Sequence, residues 1–359
     1  MAGAFDYTFV GQASRLTQKL SLPNSSYIIN TYDNVARLTA TYLKTSAHVL
    51  TNKHEYDYNA ANQRINSTNL AGTYYTNTYD PIGQLKIWDS SVAGEDRRYV
   101  YDAAWNLNYR TNNTTLYTFK VDNKNQLTNA TLAGNQTYDG NGNVTFNDGA
   151  VNGYSYDDEN QLQNWYYYDG NYNGNGSPTS PEDLRTEFVY DGKGRLRKRI
   201  EYVVFGFPYT WTADAETRYI YDGMRVIQER NSANTPTVSY TRGTDLSGSL
   251  EGAGGIGGLL GRSHGYASTN GNWYTHNFYH ADGNGNVTYM LNSSQTKVIE
   301  YRYDPFGNTI SSSGTLAAAN VYRFSSKEFH VNSGLYYYTH RFTIQVCNGG
   351  QTETRSLGS

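Results

Sequence analysis

The stretch YDGKGRLRKRI, residues 190–200, returns in altered form along the whole chain. In each copy, Gly or Asn follows a tyrosine-aspartate pair within four residues, and an alternating apolar run then begins. The clear copies are Tyr32-Asp33, Tyr79-Asp80, Tyr101-Asp102, Tyr138-Asp139, Tyr156-Asp157, Tyr190-Asp191, Tyr221-Asp222 and Tyr303-Asp304. With the weaker copies at Tyr58 and Val121, neighbours between residues 58 and 156 begin 17 to 22 residues apart. That spacing is the length of two short strands and two turns.

Each copy has the composition of a β-hairpin. Tyr favours strands, whereas Asp accepts hydrogen bonds from nearby backbone N–H groups and Gly or Asn adopts the positive φ of tight turns. In RYIYDGMRVIQER, residues 218–230, the pattern predicts a strand to Tyr221, a two-residue turn at Asp222 and Gly223, and a returning strand from Met224. We expect the tyrosine ring to pack on the equivalent ring of the next hairpin while its hydroxyl stays in water.

One such hairpin cannot bury its own face, and repetition supplies the neighbour that does. The sequence therefore predicts an all-β fold in which YD-repeat hairpins stack into one long curved antiparallel sheet, a partial spiral shell. Helical structure is expected only as a few turns near residues 180–186 and 252–262. A spiral cut short leaves an unpaired strand at each end, which predicts self-association through exposed strand edges.

The composition excludes several functional classes. The 359 residues include 36 Tyr and 35 Gly, carry a net charge of −3 and contain one cysteine, Cys347. The cationic cluster RLRKR, residues 195–199, alternates as a solvated strand face does, so nucleic acid is not expected as a partner. A single thiol excludes a disulfide framework within the chain. No apolar stretch is long enough to span a membrane, and no targeting signal indicates a location.

The repeated phrase resembles the Rhs or YD-repeat proteins, which include polymorphic-toxin shells, Tc-toxin C components and teneurins. Four blocks of the last third also resemble the Rhs-associated core segment: YTRGTDLSGSLEGAGGIGGLLGRS (240–263), FYHADGNGNVTYML (278–291), EYRYDPFGNTISSSG (300–314) and YRFSSKEFHVNSGLYYYTHRF (322–342). The resemblance implies a bacterial, secreted or cell-surface protein. It also implies a sheet that winds into a hollow shell around a C-terminal toxic polypeptide, with the core segment closing one end.

The same resemblance divides the chain into four regions. Residues 1–30 are a lead-in strand region, 31–239 the YD-repeat sheet, 240–342 the core-like segment and 343–359 a divergent tail. The positions that match the core segment's pattern are Gly254, Gly255, Gly257, Arg323, Phe324, Gly334, Leu335, Tyr336 and Tyr337.

The chain departs from the family after Phe342. There the family continues with a Y-D-P phrase and a D-P-x-G motif whose aspartates assist the self-cleavage that frees the toxin, whereas this sequence reads TIQVCNGGQTETRSLGS. Asp80 and Asp304 each begin a stretch that matches D-P-x-G. Both belong to repeat turns, so neither is predicted to take part in cleavage. The sequence therefore predicts no encoded cargo, no self-cleavage and too few repeats to enclose a cavity.

Other motifs are weak. GAGGIG, residues 252–257, has the glycine spacing of a dinucleotide-binding loop but no surrounding βαβ unit, so a loop tucked against the sheet is favoured. Asp169, Asn171 and Asn173 match the first positions of a calcium loop, with Glu182 nearby; turn chemistry is favoured and a cation site is the alternative. The histidines lack catalytic or metal-binding spacing, Cys347 has no obvious partner, and no cofactor is predicted.

Two functional classes stay open, neither of them an enzyme. The first is a shell segment that walls in or caps a polypeptide cargo not encoded in this chain, with that cargo or the remaining shell subunit as its partner. The second is a cell-surface carbohydrate-binding or adhesion module whose tryptophans stack on a glycan. Those tryptophans are Trp88, Trp105, Trp165, Trp211 and Trp273, for which sheet packing is the simpler interpretation.

Overall fold

The computed structural model describes residues 3–11, 14–131, 134–149, 151–170, 174, 176–339 and 341–344. The strands are, in chain order, β1 (Asp6–Phe9), β2 (Thr17–Ser21), β3 (Tyr27–Tyr32), β4 (Leu38–Lys44), β5 (Leu50–Tyr58), β6 (Arg64–Asn69), β7 (Tyr74–Tyr79), β8 (Leu85–Ser90), β9 (Arg97–Tyr101), β10 (Leu107–Asn112), β11 (Thr115–Val121), β12 (Leu127–Ala130), β13 (Gly134–Tyr138), β14 (Val144–Asn147), β15 (Asn152–Tyr156), β16 (Leu162–Tyr167), β17 (Leu184–Tyr190), β18 (Leu196–Phe205), β19 (Thr210–Asp222), β20 (Arg225–Arg230), β21 (Pro236–Arg242), β22 (Leu259–Ala267), β23 (Asn272–Ala281), β24 (Val287–Asn292), β25 (Lys297–Tyr303) and β26 (Thr309–Ser313). A 3-10 helix (Phe324–Ser326) and three short strands follow: β27 (Glu328–His330), β28 (Leu335–Tyr337) and β29 (Phe342–Ile344).

The first 26 strands form one antiparallel meander. Each strand pairs with the strand before it and the strand after it in the chain. Strands make up 54% of the structure and helix about 1%. The predicted all-β fold with one long antiparallel sheet is confirmed.

The sheet bends where the Tyr-Asp phrases end its strands. The pairing register shifts directly before Tyr79, Tyr190 and Tyr303, which marks a bulge at each phrase. A bulge increases the local twist of a strand, and a sheet of this many strands has to curl. Repetition of the phrase therefore gives curvature as well as turns.

The alternation of buried and exposed residues along each strand identifies the buried face of the sheet, which is its concave face. In β9, Arg97 and Tyr99 are buried whereas Arg98 and Val100 are exposed. Because residues paired across neighbouring strands share a face, this buried face can be followed from strand to strand. It continues from Arg97 through Arg110 to the buried Trp165 and Thr186.

The curved sheet overlaps itself like a scroll with its C-terminal strands inside. We call β2–β10 the N-terminal wall and β22–β26 the C-terminal wall. The concave face of the N-terminal wall covers the convex face of the C-terminal wall, and we call this contact the seam. An apolar strip at one end of the seam joins Leu20, Leu22 and Leu43 to Leu260, Phe278 and Leu291.

The concave face of the C-terminal wall covers residues 315–344, the closing segment. Its three-stranded sheet, β27–β29, packs against β15–β21 as well, and we call this contact the closing end. The core of the closing end comprises Tyr154, Leu162, Trp165, Phe188, Leu196, Tyr219, Val226, Val238, Tyr240, Leu259, Tyr279, Val287, Met290, Val298, Ile299, Tyr301, Ala317, Tyr322, Leu335 and Tyr337.

Several local predictions differ from the structure. Residues 180–186 form a turn followed by β17, and residues 252–257 form turns before β22, so no helical turn forms in these stretches, where at most a few were expected. Among the described residues, helix is confined to Phe324–Ser326. The division of the chain into four regions stays a prediction; residue 240, where the third region begins, lies within β21. Most of the tail, including Cys347, lies outside the described residues. No helix in the described ranges is long and apolar enough to cross a membrane.

Candidate functional site: the Tyr-Asp turns and the closing end

The aspartate of the repeated phrase holds its turn together. Oδ1 of Asp80 accepts hydrogen bonds from the backbone N–H groups of Ile82 (3.1 Å) and Gln84 (2.8 Å), and the Asp80 N–H donates to the Gln84 carbonyl (2.9 Å). Gly83 lies at φ +94°, which favours glycine at this position. The same pair of side-chain hydrogen bonds occurs at Asp102, Asp139, Asp157, Asp191 and Asp304.

The two-residue turn predicted for the phrase is therefore wrong for these copies. At Asp222 a two-residue turn does occur, displaced by one residue: Asp222 pairs with Arg225, and Gly223 and Met224 form the turn. Gly223 lies at φ +60° at the first turn position, as short hairpins require. Asp222 accepts a hydrogen bond from the Arg225 guanidinium (2.6 Å).

The tyrosine of the phrase joins its hairpin to an earlier one. The Tyr79 hydroxyl donates to the Arg64 carbonyl (2.7 Å), and the Tyr190 hydroxyl donates to the Leu162 carbonyl (2.8 Å). In each case the acceptor is the residue that resumes the strand after the earlier turn. Equivalent hydrogen bonds are made by Tyr32, Tyr58, Tyr101, Tyr138, Tyr221 and Tyr303. The expectation that these hydroxyls stay in water is wrong, because a backbone carbonyl lies within their reach.

The glycine-rich loop before β22 links the sheet to the closing segment. Gly254, Gly255 and Gly257 all have positive φ. Oδ2 of Asp245 accepts the N–H group of Gly255 (3.0 Å), and the Gly257 N–H donates to the Ser326 hydroxyl (3.1 Å). A strand follows this loop, so the helix N-terminus that a dinucleotide site requires does not form there.

The remaining core-segment residues lie at the closing end. The Arg323 guanidinium stacks on the Phe329 ring (4.6 Å), and Phe324 packs edge-on against Tyr303 (5.8 Å). Gly334, at φ +70°, turns β27 into β28. Leu335, Tyr336 and Tyr337 are buried, and the Tyr337 hydroxyl accepts a hydrogen bond from the Leu196 N–H (3.0 Å).

A buried ion pair fastens β27 to the sheet. Glu328 accepts hydrogen bonds from the Arg199 guanidinium (2.5 Å) and the Tyr219 hydroxyl (2.6 Å). Burial raises the pKa of Glu328 above its ordinary value. Arg199 belongs to the cluster RLRKR, whose predicted solvated face is therefore wrong at this residue. The charge of Arg199 serves the closing end.

A second polar chain runs beside this pair. His330 Nε2 lies 3.1 Å from Glu201 Oε1, and His330 Nδ1 lies 2.6 Å from the Ser333 hydroxyl. Burial opposes ionisation of Glu201, but the hydrogen bond from His330 and the nearby charges lower its pKa to about 2. Ser333 also accepts the Leu335 N–H (3.2 Å), so it caps the hairpin turn.

The candidate cation site is only partly described. Asn171 and Asn173 lie outside the described residues. The Asp169 N–H donates to Asp183 Oδ1 (2.7 Å), and Asp183 Oδ2 accepts the N–H groups of Thr179 and Ser180. Glu182 is exposed. No cluster of three potential metal ligands occurs in the part of the chain that the structure describes, and the cation alternative stays a prediction.

The tryptophans are mostly used for packing. Trp88 and Trp165 are buried, the Trp211 indole donates to the Gly176 carbonyl (2.7 Å), and Trp273 packs on Tyr266 (5.2 Å). Trp105, at 71% exposure, projects from a turn. Glycan binding therefore stays a prediction.

Sequence reasoning missed the charges that hold the seam. Arg97 and Arg110 each approach the buried Asp304 carboxylate to 3.8 Å, and Arg302 hydrogen-bonds to Glu95. The alternation of side chains along each strand was the usable signal, because it places both arginines on the concave face of the sheet. Asp304 thus caps a turn and pairs across the seam, whereas Asp80 only caps a turn.

The chain is similar in sequence to known proteins. No protein-family model matches the sequence. The tRNA3(Ser)-specific nuclease WapA of Bacillus spizizenii is 28% identical over 290 residues, and the tRNA nuclease WapA of Bacillus subtilis is 27% identical over the same length. Each match covers 79% of this chain and 10% of the relative. The chain therefore spans about a tenth of the curated relatives it matches.

The fold is also found in a solved structure. The crystal structure of TcdB2-TccC3-TEV superposes with a TM-score of 0.68 at 18% identity, over 94% of this chain and 17% of that one. The resemblance to Rhs or YD-repeat proteins that the repeated phrase indicated is thus confirmed by similarity in sequence to WapA and in fold to the TcdB2-TccC3-TEV structure.

Proposed function

We propose that this chain forms one end of a YD-repeat shell and closes it. The shell walls in a polypeptide that is carried elsewhere in a longer protein or by a separate chain. The observation that carries the proposal is the closing segment itself. Its strands β27–β29 lie on the concave side of the sheet and seal it with a continuous apolar core. The wall is structural, and no residue of it is assigned a catalytic role.

The chain alone offers little space for such a cargo. Clefts of about 420 and 380 Å³ lie along the seam, on either side of the β23–β24 turn. Volumes of this order suit a small molecule, not a folded polypeptide. Enclosure of a cargo therefore requires further strands, for which the outer edges of β1 and β26 offer unpaired backbone groups.

Protease protection tests this role. The coding DNA around the gene is read, the whole product is purified, and any segment beyond the wall is exposed to a non-specific protease. We expect that segment to resist digestion in the native protein and to become sensitive in Tyr337→Ala, which opens the closing end. Tyr274→Ala, at a residue 75% exposed, is the matched control and keeps the protection. A segment digested equally fast in the native protein and after denaturation contradicts enclosure.

A further inference from the structure

The polar half of the seam contains two histidines that face each other from opposite walls. His54 lies in β5 of the N-terminal wall and His280 in β23 of the C-terminal wall, with ring centroids 5.9 Å apart. Asn52 Nδ2 lies 3.0 Å from His280 Nδ1 and 3.5 Å from His54 Nε2, between the two rings. Thr41 Oγ1 contacts His280 Nε2 (3.0 Å), and Thr288 Oγ1 contacts His54 Nε2 (2.9 Å).

This cluster suits neutral imidazoles. His280 is 1% exposed, and burial, followed by the proximity of His54, lowers its pKa well below the ordinary value. Burial also lowers the pKa of His54, with Asp282 opposing and Arg64 adding to the effect. Both rings are therefore neutral near pH 7, when their contacts with Asn52 and the threonines can form.

The two neighbouring charges, Asp282 and Arg64, act on His54 in opposite directions, and both groups are engaged by other partners. The Asp282 carboxylate accepts the N–H groups of Asn284 (2.8 Å) and Asn286 (3.0 Å) within its own turn. Arg64 bonds to Asn284 (3.0 Å), and its guanidinium lies over the Tyr56 ring at 3.7 Å. Within the described ranges no carboxylate contacts the His54 or His280 ring, so two buried cations would face each other after protonation.

We propose that the His54–His280 pair is an acid-sensitive latch, whose protonation releases the N-terminal wall from the C-terminal wall and unrolls the scroll. The latch operates in the folded chain itself, whatever the shell encloses. The closing end responds less, because burial lowers the pKa of His330 there too, but the contact with the Glu201 carboxylate opposes that shift and supplies a counterion for the protonated ring.

The direction of the pH effect follows from proton linkage. A histidine whose pKa is lowered in the closed state binds fewer protons there than in the open state, where the ring meets water. The closed state therefore keeps its full stability above about pH 6.5 and loses it as the pH falls. At about pH 5, each fully suppressed histidine shifts the balance toward the open state by about thirty-fold.

Hydrogen exchange read by mass spectrometry tests the latch in the whole chain. Exchange is compared at about pH 7.5 and about pH 5, after correction for the intrinsic pH dependence of exchange. We expect protection of β4, β5 and β24 to fall at least ten-fold at the lower pH, while β16–β18 at the closing end lose less. His54→Gln/His280→Gln keeps hydrogen-bonding groups that cannot gain a proton, so its seam should not respond to pH. His264→Gln, on the other face of the C-terminal wall, is the matched control and should respond as the wild type does.

Two results would overturn the latch: equal seam protection at both pH values in the wild type, or a full pH response in the double variant. Should the double variant fail to fold, NMR titration of the wild-type histidine rings decides instead. Midpoints of His54 and His280 below about 6.5 support the latch, and midpoints at or above that value contradict it.

Discussion

The two faces of the C-terminal wall are buried in different ways. Its concave face meets the closing segment through a continuous apolar core, and the nearby charges form short, internally paired contacts such as Arg199 with Glu328. Its convex face meets the N-terminal wall through one apolar strip, followed by histidines and by ion pairs such as Arg110 with Asp304 and Arg302 with Glu95. One repeated hairpin thus builds an apolar core on one side of a sheet and a more polar contact on the other.

The largest change in the free energy of unfolding is expected in the apolar core of the closing end. Phe188 is 1% exposed and packs at a tilt against Phe342, with ring centroids 4.5 Å apart. Phe188→Ala should lower the free energy of unfolding by about 3 to 5 kcal/mol, since it removes a buried ring and leaves a cavity. Phe205→Ala, at a phenylalanine 74% exposed, is the matched control and should change it by less than about 0.5 kcal/mol. Equal denaturant midpoints for the two variants would show that the closing end is not the main core.

The next effect separates two aspartates that share the letters D-P-x-G. Asp304→Asn leaves Arg97 and Arg110 without their buried counterion at the seam, and should cost about 3 kcal/mol. Asp80→Asn should cost less than about 0.5 kcal/mol, because asparagine caps such a turn too, as Asn59 does here. Chemical denaturation measures both. Similar costs for the two variants would mean that the charges across the seam add nothing.

The turns and the strands could be predicted from local sequence. Tyr, Asp and Gly at fixed offsets specify a hairpin whatever surrounds it, so the all-β meander followed from composition and period. Even so, the local details were partly wrong: the turn at Asp80 is longer than predicted, and the Tyr79 hydroxyl bonds to a carbonyl. Neither detail follows from residue type alone: the turn closes through Asp80 N–H and the Gln84 carbonyl, and the Tyr79 hydroxyl reaches the Arg64 carbonyl of an earlier hairpin.

The seam could not be predicted, because it joins residues far apart in the chain. Thr41 and His280 are separated by 239 positions, and only the accumulated curvature of the intervening strands brings them together. Arg199 shows the same limit at the closing end. The sequence places it in a strand, but Glu328, its partner, comes from a segment that folds back onto the sheet.

A smaller effect concerns the tyrosine hydroxyls. Tyr190 lies against the closing end and Tyr138 in the middle of the meander, yet their hydrogen bonds to Leu162 and Leu127 have nearly the same length, 2.8 and 2.7 Å. Tyr190→Phe should cost about 1.5 kcal/mol and Tyr138→Phe about 0.5 kcal/mol, because a carbonyl left unpaired is more costly where water cannot reach it. Burial raises the pKa of Tyr190, in keeping with that environment. Equal costs, measured by thermal or denaturant unfolding, would mean that burial does not distinguish the two regions.

The smallest expected effect is a stabilisation, whereas the preceding variants all lower the free energy of unfolding. Trp105 belongs to the β9–β10 turn of the N-terminal wall and adopts φ +69°, where the equivalent turn from Asp80 has Gly83 at φ +94°. A left-handed backbone costs a side-chain-bearing residue about 1 to 2 kcal/mol, whereas glycine loses about 0.5 to 1 kcal/mol more conformational entropy on folding. Because the exposed indole packs little, Trp105→Gly should raise the free energy of unfolding by about 0.5 kcal/mol. Gly83→Ala imposes the opposite change and should lower it by about 1 kcal/mol, which provides the matched control. Since Trp105 lies in the turn that joins β9 and β10, the strands that carry the seam arginines, the Trp105→Gly and Gly83→Ala proteins can also be tested for seam protection at pH 7. If Trp105→Gly destabilises the protein or loosens the seam, the indole makes a contact that stabilises the N-terminal wall, and the comparison between the two faces would have to include the turns that border them.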